Sequence, residues 1–510
     1  IQFGKGDKYF GVATLMVTLP GLPMFGHGQI EGYGEKYGME YRRSYWDEGV
    51  DEHLVARHER EIFPLLRKRY LFSDVEHFAL FDVVTDDGNV NEDVFAYSNM
   101  AGGERTLVVY NNRYAEARGW VRRSVGMALD TGDGRRRLEH KSLGEALMLS
   151  SDEDVYYVLE DFREGLQYLR SGRALCTEGL LVNLGAYKSN VFMGFAEVRD
   201  VDGEVRRLYE ELGGRGVPDV MSELREFSLR QILDPFRSVL DRSLLSRVVK
   251  KGLDAGTVAE PFLEGLASFF LQVREHLAPE SDEAMIADTA EAVHSLLAST
   301  FGILRLEPGS RRALEPALRY LLERVLPVMT EDLSWWRVLL MWSMTARTGA
   351  LLHDEGVPGT SRALMDELLL GKALKESLVS LGLDEAGARF ELLLVQILVS
   401  WQEIYERIEE EGLACVMEDL FADPDAQAFM QVNEFGGRLW FNRECFEHLM
   451  HWLYTVTAIR STAVTRKKIR VDEHRILKAF HDTAAALEAA VAAGYEVRVF
   501  LSSLREAAGA

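Results

Sequence analysis

The sequence predicts a multidomain protein in three successive parts: a short α/β segment with parallel-sheet character over residues 1–72, an all-β sandwich domain over 73–200, and a large all-α domain over 201–510. Three observations predict this. The short apolar run from Leu22 to Phe25 lies between a Pro-Gly turn and a cluster of glycines, the pattern of a strand covered on both faces. After Ser73, alternating or β-branched runs recur between turn residues, which signals an antiparallel sheet. From Glu204 onward apolar residues recur at three and four, as in Ile286, Ala290, Val293 and Leu297. A chain of 510 residues also exceeds what one hydrophobic core organises.

In chain order, residues 9–19 read as a short apolar helix ended by Pro20 and Gly21. The buried strand and a glycine-rich loop follow. Residues 51–70 form a packing helix, with Leu54, Val55, His58, Ile62, Leu65, Leu66 and Arg69 on one stripe and Pro64 kinking or restarting it. Strand runs are expected at 77–84, 94–97, 105–110, 155–159, 180–184 and 191–198, separated by turn chemistry such as Asp86-Asp87-Gly88-Asn89 and Gly102-Gly103. In the helical part, residues 431–442 carry Gly436-Gly437 between aromatic residues and read as a turn or short hairpin.

Composition narrows the function. The 81 acidic and 58 basic residues give a net charge of -23, which repels phosphate backbones and anionic lipid, so neither nucleic acid nor membrane is an expected partner. The basic clusters Arg135-Arg136-Arg137 and Arg466-Lys467-Lys468 read as solvated loop charge. The apolar run over 333–344 falls short of the roughly 20 residues a membrane-spanning helix needs. Cys176, Cys415 and Cys445 fit neither a disulfide framework nor a metal site, which points to a reducing, cytoplasmic location. The chain opens at Ile1 with no initiator Met and is read as a fragment whose export signal, if any, lies upstream.

The most distinctive segment is Gly26-His27-Gly28-Gln29-Ile30-Glu31-Gly32-Tyr33-Gly34-Glu35-Lys36-Tyr37-Gly38, where polar and aromatic groups alternate with glycines directly after the expected strand. Loops in that position form binding clefts in α/β barrels. The stretch Thr18-Leu19-Pro20-Gly21-Leu22-Pro23-Met24-Phe25-Gly26-His27-Gly28-Gln29 resembles the eighth-strand signature of the α-amylase-like family 13 glycoside hydrolases. Arg60-Glu61-Ile62-Phe63-Pro64-Leu65-Leu66 resembles that family's last barrel helix. Asp93-Val94-Phe95-Ala96-Tyr97 and the segment from Glu104 to Asn112 resemble the first strands of its C-terminal β-domain. Gln29 departs from the pattern, since many members carry Glu there.

The resemblance implies that residues 1–72 are the end of a catalytic (β/α)8 TIM barrel, in a protein acting on α-glucosidic bonds of starch, glycogen or maltooligosaccharides by retaining double displacement. The family's nucleophile Asp, general-acid Glu and second Asp follow barrel strands four, five and seven. All three align before Ile1, so no catalytic residue is assigned and the chain alone is expected to be inactive. The family's structural calcium ligands would also lie upstream, which leaves the cofactor unknown and no metal assigned. The loop itself is expected to line a sugar subsite, with Tyr33, Tyr37, Tyr41 or Trp46 offering a ring face and Gln29, Glu31 or Glu35 bonding hydroxyls.

The remaining candidates have plainer readings. Glu31, Glu35, Glu40 and Asp47 read as ion-pairing loop carboxylates, His27 as a hydrogen-bonding loop residue, and His448 and His451 as a polar edge of a packed helix. Trp335, Trp336, Trp342, Trp401, Trp440 and Trp452 read as core. A non-catalytic glucan-binding protein, or a helical interaction or regulatory protein, is the alternative.

Overall fold

Helix α1 (Asp7–Thr18) carries an acidic residue in its first turn and ends where Leu19, the residue before Pro20, turns extended at ψ 150°. The computed structural model describes the chain except residues 1–2, 36–44, 131–135, 256–257, 278–283, 308, 310–311, 326–332, 353–354, 466–467 and 510, and the side chains of 129–130, 136, 253–255, 323–325, 334–335 and 508–509. It divides into a sheet-bearing unit, Ile1–Ser228, and a helical unit, Leu229–Ala510.

The expected barrel strand does not form. Residues 22–25 belong to no β-ladder, and Leu22 and Met24 are 85% and 73% exposed, whereas a parallel strand in a barrel is paired and covered. The Arg69 guanidinium instead gathers the carbonyls that end α1, donating to the oxygens of Val17 (2.9 Å), Leu19 (2.7 Å) and Gly21 (2.5 Å). The described residues of 1–72 are therefore helices and loop, not the end of a (β/α)8 barrel. Helix α2 (Glu52–Glu61) is capped by the Asp51 carboxylate and is followed by α3 (Phe63–Arg67), with Pro64 in its first turn.

The strands are β1 (Ala79–Val84), β2 (Val94–Ala101), β3 (Glu104–Asn111), β4 (Ala117–Ser124), β5 (Met127–Asp130), β6 (Arg136–Glu139), β7 (Val155–Asp161), β8 (Leu166–Ser171), β9 (Leu180–Leu184) and β10 (Ser189–Arg199). Eight of them make one antiparallel sheet in the order β8-β7-β10-β3-β2-β1-β4-β9, curled into a half-barrel, while β5 and β6 pair separately. The expected two-sheet sandwich is thus one sheet, covered on both faces by other elements. Leu107 and Val109 of β3 face a core shared with Leu143, Leu147 and Leu175. Val108 between them faces Phe10, Val17, Leu54, Ile62 and Leu65 from α1 to α3. Short helices α4 (Leu143–Ala146) and α5 (Gly172–Thr177) supply the first cover. Helices α6 (Glu204–Leu212) and α7 (Val220–Ser228) pack on Tyr156, Val158 and Leu169.

In the helical unit, α8 (Arg230–Val239), α9 (Arg242–Ala255), α10 (Glu260–Leu277), α11 (Ala284–Ile303), α12 (Glu315–Val325), α13 (Leu333–Thr345), α14 (Val357–Glu367), α15 (Leu370–Ser380), α16 (Glu385–Ser400), α17 (Ile404–Glu411), α18 (Leu413–Ala422), α19 (Pro424–Phe429), α20 (Arg443–Arg460), α21 (Glu473–Ala492) and α22 (Val497–Gly509) surround one apolar core. Residues 431–442 fold as the hairpin β11 (Asn433–Phe435) and β12 (Arg438–Trp440). A second hairpin, β13 (Thr462–Thr465) and β14 (Lys468–Val471), interrupts what the sequence read as continuous helix. Arg135, Arg466 and Lys467 lie outside the described residues. Among the described residues no helix is long and apolar enough to cross a membrane.

Candidate functional site

The loop between α1 and α2 closes on itself through its own backbone. The Asp51 amide donates to the Glu31 carbonyl (2.9 Å) and the Tyr33 amide to the Gly28 carbonyl (2.8 Å). Asp51 then binds the Leu54 amide with one carboxylate oxygen (3.1 Å) and the Lys5 ammonium with the other (2.8 Å). The Lys5 hydrogen bond, seconded by the Leu54 amide, holds the Asp51 carboxyl below its ordinary range.

Two more carboxylates organise the loop from inside. Glu48 accepts the amides of Gly34 (2.6 Å) and Glu35 (2.9 Å), and Glu35 accepts those of Tyr45 (2.8 Å) and Trp46 (3.0 Å). Glu35, expected to bond a ligand, is therefore largely engaged in shaping the loop. The side chain of Glu31 does not reach the cleft formed here; its contribution is the carbonyl that receives Asp51. Tyr37, Glu40, Tyr41 and the basic residues Lys36, Arg42 and Arg43 fall outside the described residues. Asp47 is exposed.

What assembles is a cleft of ≈ 450 Å³ lined by Gly4, Lys5, Tyr9, Gln29, Gly32, Tyr33, Gly34, Glu48 and Leu54, within the size range of small-molecule sites. Of the residues singled out in the sequence, Gln29 and Tyr33 line it, and Trp46 lies beside it against Gly34. Trp46 keeps 59% of its surface exposed, which leaves a ring face accessible at the rim. Lys5, Tyr9, Glu48 and Leu54 were not singled out as site residues, because nothing in their local pattern separates them from ordinary helix and loop positions.

Gly32 fixes the cleft's wall. Its φ is +82°, and a Cβ there would sit 2.7 Å from the Lys5 ammonium, 3.0 Å from Leu54 and 3.1 Å from Asp51. Gly32→Ala is expected to lower the unit's stability by about 1 kcal/mol through left-handed strain alone. It should also narrow the cleft by displacing Lys5 from Asp51, which thermal melting and a ligand titration would read together.

A polar chain runs from the interior to this cleft. His58, fully buried, places Nδ1 2.8 Å from the Leu54 carbonyl and Nε2 2.8 Å from the Tyr9 hydroxyl. Tyr9 in turn accepts from Gln29 Nε2 at 3.1 Å, and Gln29 Oε1 accepts the Gly26 amide at 2.9 Å. Burial pushes the Tyr9 hydroxyl upward, with the Gln29 bond pulling back in part, so it remains protonated at neutral pH.

Chemically the cleft offers one carboxylate, Glu48, already holding two amides. A pair of carboxyl groups facing each other across a substrate, as glycoside hydrolysis generally requires, is not assembled there. Among the described residues no group of three or more His, Cys, Asp or Glu is placed to hold a metal ion. His448 accepts from the Trp452 indole (3.1 Å) and stacks on Phe429, and His451 is buried against Tyr320. Trp336 and Trp342 are fully buried in the helical core, while the side chain of Trp335 is not described.

The helical unit has a larger cleft of ≈ 820 Å³ between the β11–β12 turn and α22, lined by Arg438, Arg498 and Arg505 among others. Two of these guanidiniums are matched internally, Arg438 by Glu496 (3.2 Å) and Arg505 by Glu418 (2.5 Å). No family model matches the chain, and no curated protein matches it in sequence.

Proposed function

We propose that this chain is the sugar-contacting, non-catalytic part of an α-amylase-like glycoside hydrolase acting on α-glucosidic bonds of starch, glycogen or maltooligosaccharides. The observation that carries the reading is the cleft itself, lined by Gln29, Tyr33 and Glu48 with the exposed Trp46 beside it. Polar groups beside aromatic rings suit a pyranose, which presents hydroxyls at its edge and apolar C–H groups on its faces. The stretch from Thr18 to Gln29 that resembles the α-amylase-like family in sequence runs into the same loop, although its residues 22–25 form no barrel strand.

The experiment is a calorimetric titration of the chain with maltoheptaose, beside an assay of the product of the whole coding sequence on starch. Binding without hydrolysis is expected from this chain. Gln29→Ala and Trp46→Ala should each weaken binding about tenfold, roughly 1.4 kcal/mol. Absence of binding at millimolar sugar, together with inactivity of the whole gene product, would sink the proposal.

The net charge of -23 supports a partner list without nucleic acid, and the three free thiols support a reducing, cytoplasmic location. A second reading, the helical unit as an interaction module, is favoured by the β11–β12 hairpin, where Phe435 and Leu439 are 78% and 49% exposed.

A further inference from the structure

With a neutral imidazole, the chain of bonds behind Gln29 has one consistent assignment of hydrogens. The Leu54 carbonyl only accepts, so the imidazole nitrogen 2.8 Å from it, His58 Nδ1, carries a hydrogen. In the neutral ring Nε2 is then an acceptor, and the Tyr9 hydroxyl 2.8 Å away donates to it. With its hydrogen committed, Tyr9 offers only its oxygen, and the group 3.1 Å away must be the amide nitrogen of Gln29. The Gly26 amide independently requires the other end of Gln29 to be the oxygen, at 2.9 Å. A flipped carboxamide would set two donors against each other at Gly26 and two acceptors at Tyr9. The rings of Tyr9, Phe10, Phe25 and Phe63 stand 5.0 to 6.2 Å from the imidazole and pack around it, holding His58 in this orientation.

One hydrogen of Gln29 Nε2 is left uncommitted among the described residues, at the wall of the cleft. In the same cleft Glu48 offers only acceptors, having no hydrogen of its own. A ligand must therefore accept at one point and donate at another, and the two charged side chains lining the cleft, Glu48 and Lys5, are of opposite sign and so favour no net charge on it.

We propose that His58 is a positioning residue for this cleft: acting through Tyr9, it locks the Gln29 carboxamide with one N–H toward the ligand, which together with Glu48 selects adjacent hydroxyls of a neutral pyranose. The proposal rests on the sugar-cleft reading above and deepens it. His58 does not touch the ligand, and its effect is transmitted by two hydrogen bonds.

The test uses the whole chain with maltoheptaose and the variants Tyr9→Phe, His58→Phe, His58→Gln and Gln29→Ala. Tyr9→Phe and His58→Phe keep aromatic bulk and should each weaken binding about tenfold, the size of one lost hydrogen bond. His58→Gln restores an acceptor where Nε2 stood and should recover most of that loss. In a Gln29→Ala background Tyr9→Phe should have no further effect, since the group it positions is gone. Additive losses, or a His58→Gln variant no better than His58→Phe, would overturn the proposal. A second readout needs no sugar: in spectra of glutamine-labelled protein, the two Gln29 amide hydrogens should be well separated and should converge in Tyr9→Phe. An unmoved Gln29 signal refutes the positioning role by itself. A signal that moves as expected in a protein that binds no glucan refutes the ligand part of the proposal and the sugar-cleft reading beneath it, and leaves the relay standing.

Discussion

Glu61→Ala is expected to lower the stability of the sheet-bearing unit by about 3 kcal/mol at neutral pH, because it strands guanidinium groups that have little access to water. Glu61 ends α2 and receives Arg57 Nε at 2.8 Å, while Arg163, from the turn between β7 and β8, lies 2.7 Å away. The side chains of Glu61 and Arg163 are only 14% and 12% exposed, unlike the surface pairs of this protein, and surface pairs contribute at most about 1 kcal/mol. Arg57 extends the network to Asp7 of α1 at 2.6 Å, and Asp7 reaches Lys188 at 2.8 Å, just before β10. One carboxylate thus ties to the sheet the two helices that flank the cleft.

The loss should depend on pH in a direction set by that environment. Burial pushes the Glu61 carboxyl upward, but the Arg57 hydrogen bond and the charges of Arg163 and Arg57 outweigh it, and the net displacement is downward. A carboxyl lowered in the folded state stabilises above its unfolded value and loses that contribution as pH falls through the folded one. The gap between wild type and Glu61→Ala should therefore be full at pH 7 and shrink below about pH 4. Asp7 is also lowered, by its bond to Lys188 against burial, with Arg57 adding. Fully buried Asp161 runs the other way, since burial raises it more than its amide bonds lower it, and its contribution favours low pH. Chemical denaturation at several pH values measures the gap; one that stays constant from pH 7 to pH 3 contradicts this account of Glu61.

How much of this was legible depended on whether the cause lay within a few residues of the effect. The glycine-rich loop announced a cleft, and Gln29 and Tyr33 reached it, because alternation of glycine with polar and aromatic groups is a local property. Tyr9 and His58 are separated by 49 residues and read as packing positions on two helices; only their meeting at 2.8 Å makes them polar partners. Glu35 looked like a ligand group because sequence does not show which loop carboxylate will line the cleft and which will hold the loop from outside it. The barrel strand failed for a related reason. Leu22 to Phe25 has the composition of a buried strand, but a strand exists only with a neighbour to pair with, and here Arg69 takes the preceding carbonyls instead. The alternating runs of β2 and β3 read as strands of an antiparallel sandwich, but they could not tell a second sheet from the helices α1 to α3 that cover one face of a single sheet. Strand β4 was missed because Arg118, Arg122 and Arg123 obscure its alternation.

Trp336→Ala is the larger test of the helical unit and should cost about 4 kcal/mol, within the range for deleting a buried tryptophan. Trp336 of α13 is fully buried, and its ring centroid lies 4.9 Å from that of Phe301 on α11. Phe301 is approached from α9 as well, where Gly252 comes so close that an added Cβ would sit 2.2 Å from the Phe301 ring. Gly252→Ala alone must therefore drive Phe301 toward Trp336, an overpacking that costs about 2 kcal/mol. In the double variant the space vacated by the indole accepts the displaced ring, so the two losses should be strongly sub-additive, with the double variant little worse than Trp336→Ala alone. Urea denaturation of the four proteins measures this; simple additivity would show that Phe301 does not transmit the strain from α9 to α13. Maltoheptaose affinity should be unchanged in all four, because the proposed cleft is lined only by residues between Gly4 and Leu54. A loss of affinity in Trp336→Ala would assign the helical unit a part in glucan binding that the cleft alone does not require.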